Sequence, residues 1–248
     1  MVKINKVFKA VVIIIITIFL SSCDSVNSFL GLDKQVSADI LNYISTEIIN
    51  SNVKLEIYEQ EPADIRFPVK PRGTGSAVII KKEGKKYYII TNNHVVTLSN
   101  NTSYYIIEDS LNNRIRAYLV LNDEDYDLAI LEFQTNDDLL VMELASKNPK
   151  KGELVFSIGS PEGKRNIITV GRILSYQDNE EVDYQVIFHS AVIRTGSSGS
   201  MLINEDYKIV GINTWGLKDK IDSEYVEGMA TPVEKINEFL EKHDFKIK

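Results

Sequence analysis

The chain has 248 residues, of which 44% are hydrophobic and 25% are charged, a composition typical of a globular protein rather than a disordered or collagen-like one. It contains 28 lysines and arginines against 35 aspartates and glutamates. Without residues 1–22, which hold three lysines and no acidic residue, the balance is 25 against 35 and the net charge is −10. Such an acidic body lacks the basic surface that neutralises phosphates, which disfavours nucleic acid as a partner. The single cysteine, Cys23, excludes an internal disulfide framework and a cysteine cluster for zinc or iron–sulfur chemistry.

The N-terminal segment has the pattern of a secretion signal. Lys3, Lys6 and Lys9 precede an apolar run from Ala10 to Leu20. A helix of that length rises only about 16 Å, which is too short to cross a hydrocarbon core of ~30 Å. Residues 1–22 are therefore predicted to be a signal peptide that is removed.

The residues Leu20-Ser21-Ser22-Cys23 end this signal and resemble the lipobox of bacterial lipoproteins. In those proteins the signal is cut before the cysteine, which becomes the lipidated first residue. The resemblance implies lipidation at Cys23, a tether over residues 23–35 and a place on the extracytoplasmic face of the cell membrane. Stable attachment takes more than one acyl chain, because a single chain binds membranes only marginally. An uncleaved signal anchor with an incidental cysteine is the alternative.

After the tether the hydrophobic pattern changes from helical to β. Val36, Ile40, Ile44 and Ile48 recur at intervals of four, which predicts an amphipathic helix over Ser37–Asn50. From Val53 to Tyr58 apolar and polar residues alternate, the period of a half-buried strand. Further short strands are predicted at Gly75–Ile80, Lys86–Thr91, Ser103–Glu108, Arg114–Leu121, Leu128–Phe133, Glu153–Ile158, Ile167–Tyr176, Tyr184–Ser190, Ser200–Asn204, Lys208–Thr214 and Tyr225–Ala230. This spacing of short strands indicates a sandwich or barrel, not βαβ units.

A closing helix is predicted at the C-terminus. Thr231, Pro232 and Glu234 have the order of an N-cap, a first helical proline and the acidic residue of a capping box. Val233, Ile236 and Leu240 then form one apolar face.

Three short segments carry residues that acyl transfer requires. They are Thr91-Asn92-Asn93-His94-Val95-Val96, Asp125-Tyr126-Asp127-Leu128-Ala129-Ile130-Leu131, and Thr195-Gly196-Ser197-Ser198-Gly199-Ser200. A serine hydroxyl is a poor nucleophile until an imidazole takes its proton, and a carboxylate fixes the tautomer of that imidazole. Glycines beside the serine allow a sharp backbone turn that aims N–H groups at a developing oxyanion.

The order of the three segments narrows the class of enzyme. His94 precedes Asp127, which precedes Ser198, and this order differs from that of α/β-hydrolases and of subtilisins. The nucleophile segment also lacks the G-x-S-x-G pattern, because Ser200 stands at the last place. A lipase or esterase is therefore disfavoured. Each segment by itself is common as a cap, turn or loop, but together in an all-β chain they indicate a serine peptidase.

With these motifs, residues 73–240 resemble the chymotrypsin-fold serine peptidases, in particular the bacterial HtrA/DegP proteases and the V8-like glutamyl endopeptidases. Besides the three segments, Gly73-Thr74-Gly75-Ser76-Ala77, Ile209-Val210-Gly211-Ile212-Asn213 and Met229-Ala230-Thr231-Pro232 carry the resemblance. The resemblance implies an all-β fold of two packed six-stranded antiparallel barrels within residues 36–248, divided near residues 135–152. It makes His94 the general base, Asp127 its orienting group and Ser198 the nucleophile, with the N–H groups of Gly196 and Ser198 as the oxyanion hole.

The resemblance also implies a primary specificity pocket. Its lining residues would be Val192, Ile193, Arg194, Thr214, Trp215 and Gly216. Val192 and Ile193 offer no carboxylate for a basic side chain, and Thr214 stands where glutamyl endopeptidases have a histidine. We therefore expect a broad preference for small or aliphatic residues, with Arg194 binding an acidic residue as the alternative. An ordinary core role for Trp215 also stays open.

Some residues depart from the family pattern. Ser197 stands where relatives often carry Asn or Asp, so activation by a buried N-terminal ion pair is not expected. No PDZ domain is expected after Leu240. Two function classes follow: a membrane-anchored serine endopeptidase acting on proteins or peptides without cofactor or metal, and a binding or adhesion lipoprotein that kept the fold and lost turnover. The sequence leaves the oligomeric state open.

Overall fold

The computed structural model describes residues 36–59, 70–97, 103–218 and 225–247. The predicted signal peptide, the lipidation site Cys23 and the predicted tether lie outside the described residues. By its internal contacts the chain divides into two units after Leu41. Of the first unit, residues 36–41 are described and contain the start of helix α1; the second unit contains both β-barrels.

Helix α1 is shorter than the apolar pattern predicts. It spans Ala38–Thr46 and is followed by a 3₁₀ turn over Ile48–Ser51, in place of one helix from Ser37 to Asn50. The hydroxyls of Ser45 and Thr46 both donate to the carbonyl of Asn42, at 2.9 and 3.0 Å. Such side-chain bonds compete with the helical backbone pattern and favour a helix end.

The first barrel is built from six of the described strands. They are β1 (Asn52–Tyr58), β2 (Gly73–Glu83), β3 (Lys86–Thr91), β4 (Tyr104–Glu108), β5 (Arg114–Asp123) and β6 (Leu128–Gln134). They pair antiparallel in the order β1-β2-β3-β6-β5-β4, and the pairing of β4 with β1 closes the barrel. Helix α2 (Asn93–Val96) follows β3 directly.

The second barrel is also built from six of the described strands. They are β7 (Leu154–Gly159), β8 (Ile167–Asn179), β9 (Val182–His189), β10 (Met201–Ile203), β11 (Ile209–Lys218) and β12 (Tyr225–Pro232). Their order is β10-β11-β12-β9-β8-β7, closed by the pairing of β7 with β10. Helix α3 (Val233–Lys242) ends the fold. The predicted pair of six-stranded antiparallel barrels is thus confirmed.

Each barrel is filled by the inward-facing side chains of its own strands. Val53, Leu55 and Ile57 of β1 are fully buried in the first core, and Val155, Ile187 and Leu202 in the second. These alternating β-branched and aliphatic residues produced the strand pattern in the sequence.

The outer face of β1 differs from the half-buried strand that the alternation predicts. Glu56, a polar position of that pattern, is 4% exposed. Its carboxylate accepts hydrogen bonds from Arg114 at 2.6 Å and Tyr58 at 2.7 Å, and Lys54 lies 2.8 Å away. Burial by itself would raise the pKa of Glu56, but hydrogen bonds from Arg114, Lys54 and Tyr58 lower it to about 2. The alternation of apolar and polar residues identifies the two faces of a strand. It does not show which other side chains cover each face in the folded protein.

The predicted capping box at the C-terminal helix is wrong. Thr231 lies on β12, where its hydroxyl lies 3.2 Å from the hydroxyl of Tyr184, and α3 begins at Val233. The cap is supplied from a distant segment: the side chain of Asn148 accepts from the backbone N–H of Glu234 at 3.1 Å and donates to its carboxylate at 2.8 Å. The packing of the helix on the second barrel brings this partner to it.

Within the described part of the chain, every helix is too short or too polar to cross a membrane.

Candidate active site

The base predicted at position 94 lies on the one-turn helix α2. Val95 and Val96 of this turn are buried in the core of the first barrel, which leaves His94 on the opposite side, with 40% of its side chain exposed. The side-chain amide of Asn122 donates to Asn93 at 2.6 Å and holds the turn against β5. Apolar burial of its neighbours therefore presents the imidazole at the cleft.

Asp127 lies just before β6 in a left-handed backbone conformation, with φ of +49°. The side chain of Asn92 donates to its carbonyl at 3.1 Å and supports this strained position. The Asp127 carboxylate accepts from His94 twice, from Nδ1 at 2.8 Å and from the backbone N–H at 2.9 Å. The hydroxyl of Thr214 donates to the same carboxylate at 2.6 Å. Thr214 of the second barrel therefore completes the set of hydrogen bonds to Asp127, which belongs to the first barrel.

Ser198 lies in the loop between β9 and β10, where two glycines have positive φ. These are Gly196 at +91° and Gly199 at +87°, conformations that residues with a Cβ rarely adopt. A Cβ on Gly199 would lie 2.0 Å from the carbonyl oxygen of Ser76. The Ser198 hydroxyl donates to the carbonyl of Thr214 at 3.0 Å. Gly199 thus allows the loop to pass close to β2 of the first barrel.

The two peptide groups predicted to form the oxyanion hole are fixed through their carbonyls. The carbonyl of Thr195 accepts from the N–H of Glu162, and that of Ser197 accepts from the N–H of Ser200, both at 2.8 Å. In a planar trans peptide the N–H points opposite to the carbonyl. These bonds therefore set the directions of the N–H groups of Gly196 and Ser198.

The amino-acid sequence matches a family model described as trypsin-like peptidase domain over residues 75–212, more than half of the chain. The chain belongs to the trypsin-like peptidase family. The matched region contains His94, Asp127 and Ser198.

Curated relatives of this trypsin-like peptidase include serine proteases of the HtrA type. Human serine protease HTRA4 is 32% identical over an alignment of 154 residues that covers 57% of this chain and 31% of the relative. Serine protease HTRA1 of Xenopus tropicalis is 32% identical over 148 residues, 56% of this chain and 30% of the relative. Zebrafish serine protease HTRA1B is 34% identical over 136 residues, 51% and 27% of the two chains. The chain thus spans about three-tenths of the length of these relatives.

In this trypsin-like peptidase His94 and Ser198 open onto one cavity of about 510 Å³. Five residues of the predicted specificity pocket line the same cavity, namely Ile193, Arg194, Thr214, Trp215 and Gly216. Val192 instead lines a neighbouring cavity of about 310 Å³. The loop between β9 and β10 therefore contributes to two cavities, and Arg194 lines both.

Trp215 and Arg194 are both partly exposed at this cleft. The Trp215 ring lies 6.4 Å from that of His94 at an interplanar angle of 21°, and its other side packs against buried residues of the second barrel. It therefore combines the core role and the cleft role that the sequence left as alternatives. The Arg194 guanidinium is half exposed and lies 3.7 Å from the carboxylate of Glu162.

A buried polar network lies behind the loop that contains Ser198. His189, which is fully buried, donates from Nε2 to the side-chain oxygen of Asn213 at 2.8 Å. The amide of Asn213 donates in turn to the hydroxyls of Ser157 and Ser200, each at 2.9 Å. Burial lowers the pKa of His189 to about 4, against an opposing hydrogen bond to Asn213. The ring packs under Gly228, where a Cβ would lie 2.2 Å from it.

Sequence reasoning missed several residues at this site. Glu181 lines the cleft, Glu162 holds the Thr195 carbonyl, and Asn92 supports Asp127. The sequence could have indicated Asn92, because it stands two residues before His94 in the segment 91–96. Glu162 acts through its backbone N–H, so no side-chain pattern could have identified it.

His243 is the residue that follows the last turn of α3, and its contacts lie away from the cleft. Its Nε2 lies 2.7 Å from the carboxylate of Asp123, and its ring packs on Phe239. The contact ties α3 to the end of β5 rather than to the cleft.

Proposed function

We propose that this trypsin-like peptidase is a serine endopeptidase in which His94, Asp127 and Ser198 act as one catalytic unit. The observation that carries the proposal is the set of bonds on Asp127, which accepts from Nδ1 and the backbone N–H of His94 and from Thr214. Because Nδ1–H is donated to the carboxylate, Nε2 is left as the basic nitrogen of the ring.

The reaction begins when the Ser198 hydroxyl turns from the Thr214 carbonyl toward His94. Oγ attacks the substrate carbonyl carbon as its proton passes to Nε2, and the tetrahedral oxyanion is stabilised by the N–H groups of Gly196 and Ser198. His94 then gives the proton to the leaving amine as the peptide C–N bond breaks. Water repeats the sequence on the acyl-enzyme and releases the second product.

A fluorophosphonate probe tests the proposal directly. The purified protein without residues 1–22 should be labelled by the probe, because the probe reacts with an activated serine. Ser198→Ala should abolish the labelling. Ser146→Ala changes an exposed serine in the chain segment between β6 and β7, and this variant should react like the wild type. A folded wild-type protein that stays unlabelled would contradict the proposed function.

The second candidate is a protease-fold lipoprotein that binds a partner without turnover. The hydrogen bond from Ser198 to the Thr214 carbonyl favours it, because that bond engages the proton which His94 must accept. Cleavage assays with a peptide library separate the two functions, since the binding protein would retain intact peptides.

For the endopeptidase we propose a broad preference for small or aliphatic residues before the scissile bond. Ile193 and Trp215 supply apolar lining to the cleft. The guanidinium of Arg194 lies 3.7 Å from the carboxylate of Glu162, which belongs to the protein itself. Apolar pockets discriminate weakly, by about 1–3 kcal/mol per methylene group. Dominant cleavage after Lys or Arg, or after Glu in a manner lost in Arg194→Ala, would overturn this preference.

We also propose that the protein is a lipoprotein attached to the outer side of the cell membrane through Cys23. The support is the lipobox-like sequence Leu20-Ser21-Ser22-Cys23 after a charged and apolar leader. Cys23→Ser should leave the signal uncut or release the protein into the soluble fraction, and mass spectrometry of the wild type should find lipid on Cys23. A mature wild-type chain that starts elsewhere without lipid would refute the anchor.

A further inference from the structure

Ser76 of β2 is a fully buried serine whose polar atoms all bond to other segments of the chain. Its hydroxyl donates to the carbonyl of Gly196 and accepts from the N–H of Ser160, both at 2.8 Å. Its backbone N–H donates to the carbonyl of Ser198 at 2.8 Å, and its carbonyl accepts from Thr91 at 2.7 Å. One side chain of the first barrel thus joins two loops of the second.

The first of these loops contains the peptide groups of the oxyanion hole. Gly196 has a φ of +91° and, lacking a Cβ, can rotate more freely than residues that carry a Cβ. The carbonyl on its N-terminal side is held by Glu162, and its own carbonyl is held by the hydroxyl of Ser76. Both peptide planes at Gly196 are therefore fixed from outside the loop.

The second loop is the 3₁₀ turn Pro161–Gly163, whose Glu162 has a left-handed φ of +54°. Its N–H holds the Thr195 carbonyl, and its start is held where the Ser160 N–H donates to Ser76. Ser76 therefore acts on the Gly196 N–H by two routes. One is the turn that holds the Thr195 carbonyl, which shares a peptide plane with that N–H, and the other is the Gly196 carbonyl, which fixes the adjoining peptide plane on the other side of the Gly196 Cα.

We propose that Ser76 is a positioning residue for the oxyanion hole, which sets the direction of the Gly196 N–H without contacting substrate. This inference rests on the proposed function, because it assigns a role in the same reaction. An alanine at position 76 would leave the buried carbonyl of Gly196 and the buried N–H of Ser160 without their hydrogen-bond partner. Because an unpaired buried polar group costs free energy, each group should shift toward another partner. The effect should therefore fall on the transition state, in which the oxyanion exists, more than on substrate binding.

Steady-state kinetics of Ser76→Ala on a peptide substrate test this role. We expect kcat to fall about tenfold or more with KM nearly unchanged, given that loss of one oxyanion donor lowers kcat by roughly 10²–10³-fold in other enzymes. The affinity for a peptide boronate, whose tetrahedral adduct places an oxygen in the oxyanion hole, should fall by the same factor. Ser76→Cys, which keeps a weaker donor, should lie between serine and alanine.

The matched control is Ser51→Ala, another fully buried serine whose hydroxyl donates to the carbonyl of Ile48 at 2.7 Å. It loses a comparable hydrogen bond away from the cleft, so its kcat and boronate affinity should stay at the wild-type level. If Ser76→Ala lowers kcat no more than Ser51→Ala does, Ser76 is only a structural residue and the inference is overturned.

Failure of the proposed function gives a different result. In that case the wild type and Ser198→Ala would hydrolyse the peptide equally, and the role of Ser76 would be decided by crystal structures of the variants. A turned Gly196 carbonyl or a displaced Pro161–Gly163 turn in Ser76→Ala supports the positioning role. An unchanged loop overturns it whether or not the enzyme is active.

Discussion

The two barrels bury their polar groups in opposite ways. The first barrel holds a charged cluster on β1, β4 and β5, in which Lys54 and Arg114 surround Glu56 and Lys54 also reaches Glu108 at 2.8 Å. The second barrel holds a neutral network, in which His189, Asn213, Ser157 and Ser200 exchange hydrogen bonds. Both are shielded from water, yet only the first carries net charges.

The location of each network explains the difference. The residues that line the cleft do not include the charged cluster, whereas Asn213 directly precedes Thr214 and its carbonyl accepts from the N–H of Gly199 at 2.9 Å. A neutral network can fix the backbone near Ser198, the proposed nucleophile, without adding a charge that would perturb the oxyanion of the proposed reaction. The charged cluster should therefore govern stability, and the neutral network should govern the geometry of the loop.

The largest expected effect comes from removing, in turn, the residue that each barrel contributes to the proposed catalytic unit. His94→Ala in the first barrel and Ser198→Ala in the second should each lower kcat by about 10⁴-fold or more. The double variant should lose little beyond either single change, because each removes the same proton transfer. Kinetics of the three variants on one peptide measure this, and additive losses would show that the residues act independently.

Glu56→Gln probes the charged cluster through stability. The pKa of Glu56 is lowered from 4.5 to about 2, so its contribution is fully present above pH 4.5 and is lost as the pH falls toward 2. The variant should lower the free energy of unfolding by about 3 kcal/mol at pH 7 and by about 1 kcal/mol at pH 3. Urea unfolding at several pH values provides the measurement.

Glu132→Gln is the control for that experiment. Glu132 pairs with Lys86 at 2.9 Å, but both side chains are partly exposed, so the loss should stay below about 1 kcal/mol. Equal losses in the two variants would remove the distinction between the buried cluster and an ordinary surface pair.

His189 makes the stability of the fold depend on pH over a different range from that of Glu56. Its pKa is lowered from 6.5 to about 4, so the unfolded chain takes up a proton before the folded one as the pH falls below 6.5. The wild type should lose about 2 kcal/mol of stability between pH 7 and pH 5 relative to His189→Gln, which has no titrating group there. If the difference between the two proteins is independent of pH, His189 is not held neutral in the fold.

The smallest effect is expected at the contact that joins the two barrels on Asp127. Thr214→Val removes the hydroxyl that donates to the carboxylate but keeps the backbone carbonyl, and kcat should fall by about three- to tenfold. Thr214→Ser keeps the hydroxyl and should retain most of the activity. Equal kcat in the valine and serine variants would show that the bond does not orient Asp127.

The sequence predicted most of the β elements because inward residues of closed barrels alternate with outward ones. Strand β3 was predicted with both of its observed ends, Lys86 and Thr91, and most other strands to within a few residues. The errors lie where long-range contacts override the local pattern. The charge on Glu56 was placed outside although Arg114 covers it, and the cap of α3 was assigned to Thr231 although Asn148 supplies it.

The sequence by itself determined the residue types of the site, their order along the chain and the all-β class of the fold, since these depend on motifs and on the hydrophobic period. The pair of barrels was implied by the resemblance to the chymotrypsin-fold peptidases. Only the tertiary structure decided which groups meet across the barrels, Thr214 on Asp127 and Ser76 on Gly196, and which loops meet within the second barrel, Glu162 on Thr195. The physical reason is that these contacts join segments far apart in the chain, and two of them use backbone groups that every residue has. No pattern of side chains can show where a backbone N–H or carbonyl finds its partner until the chain has folded.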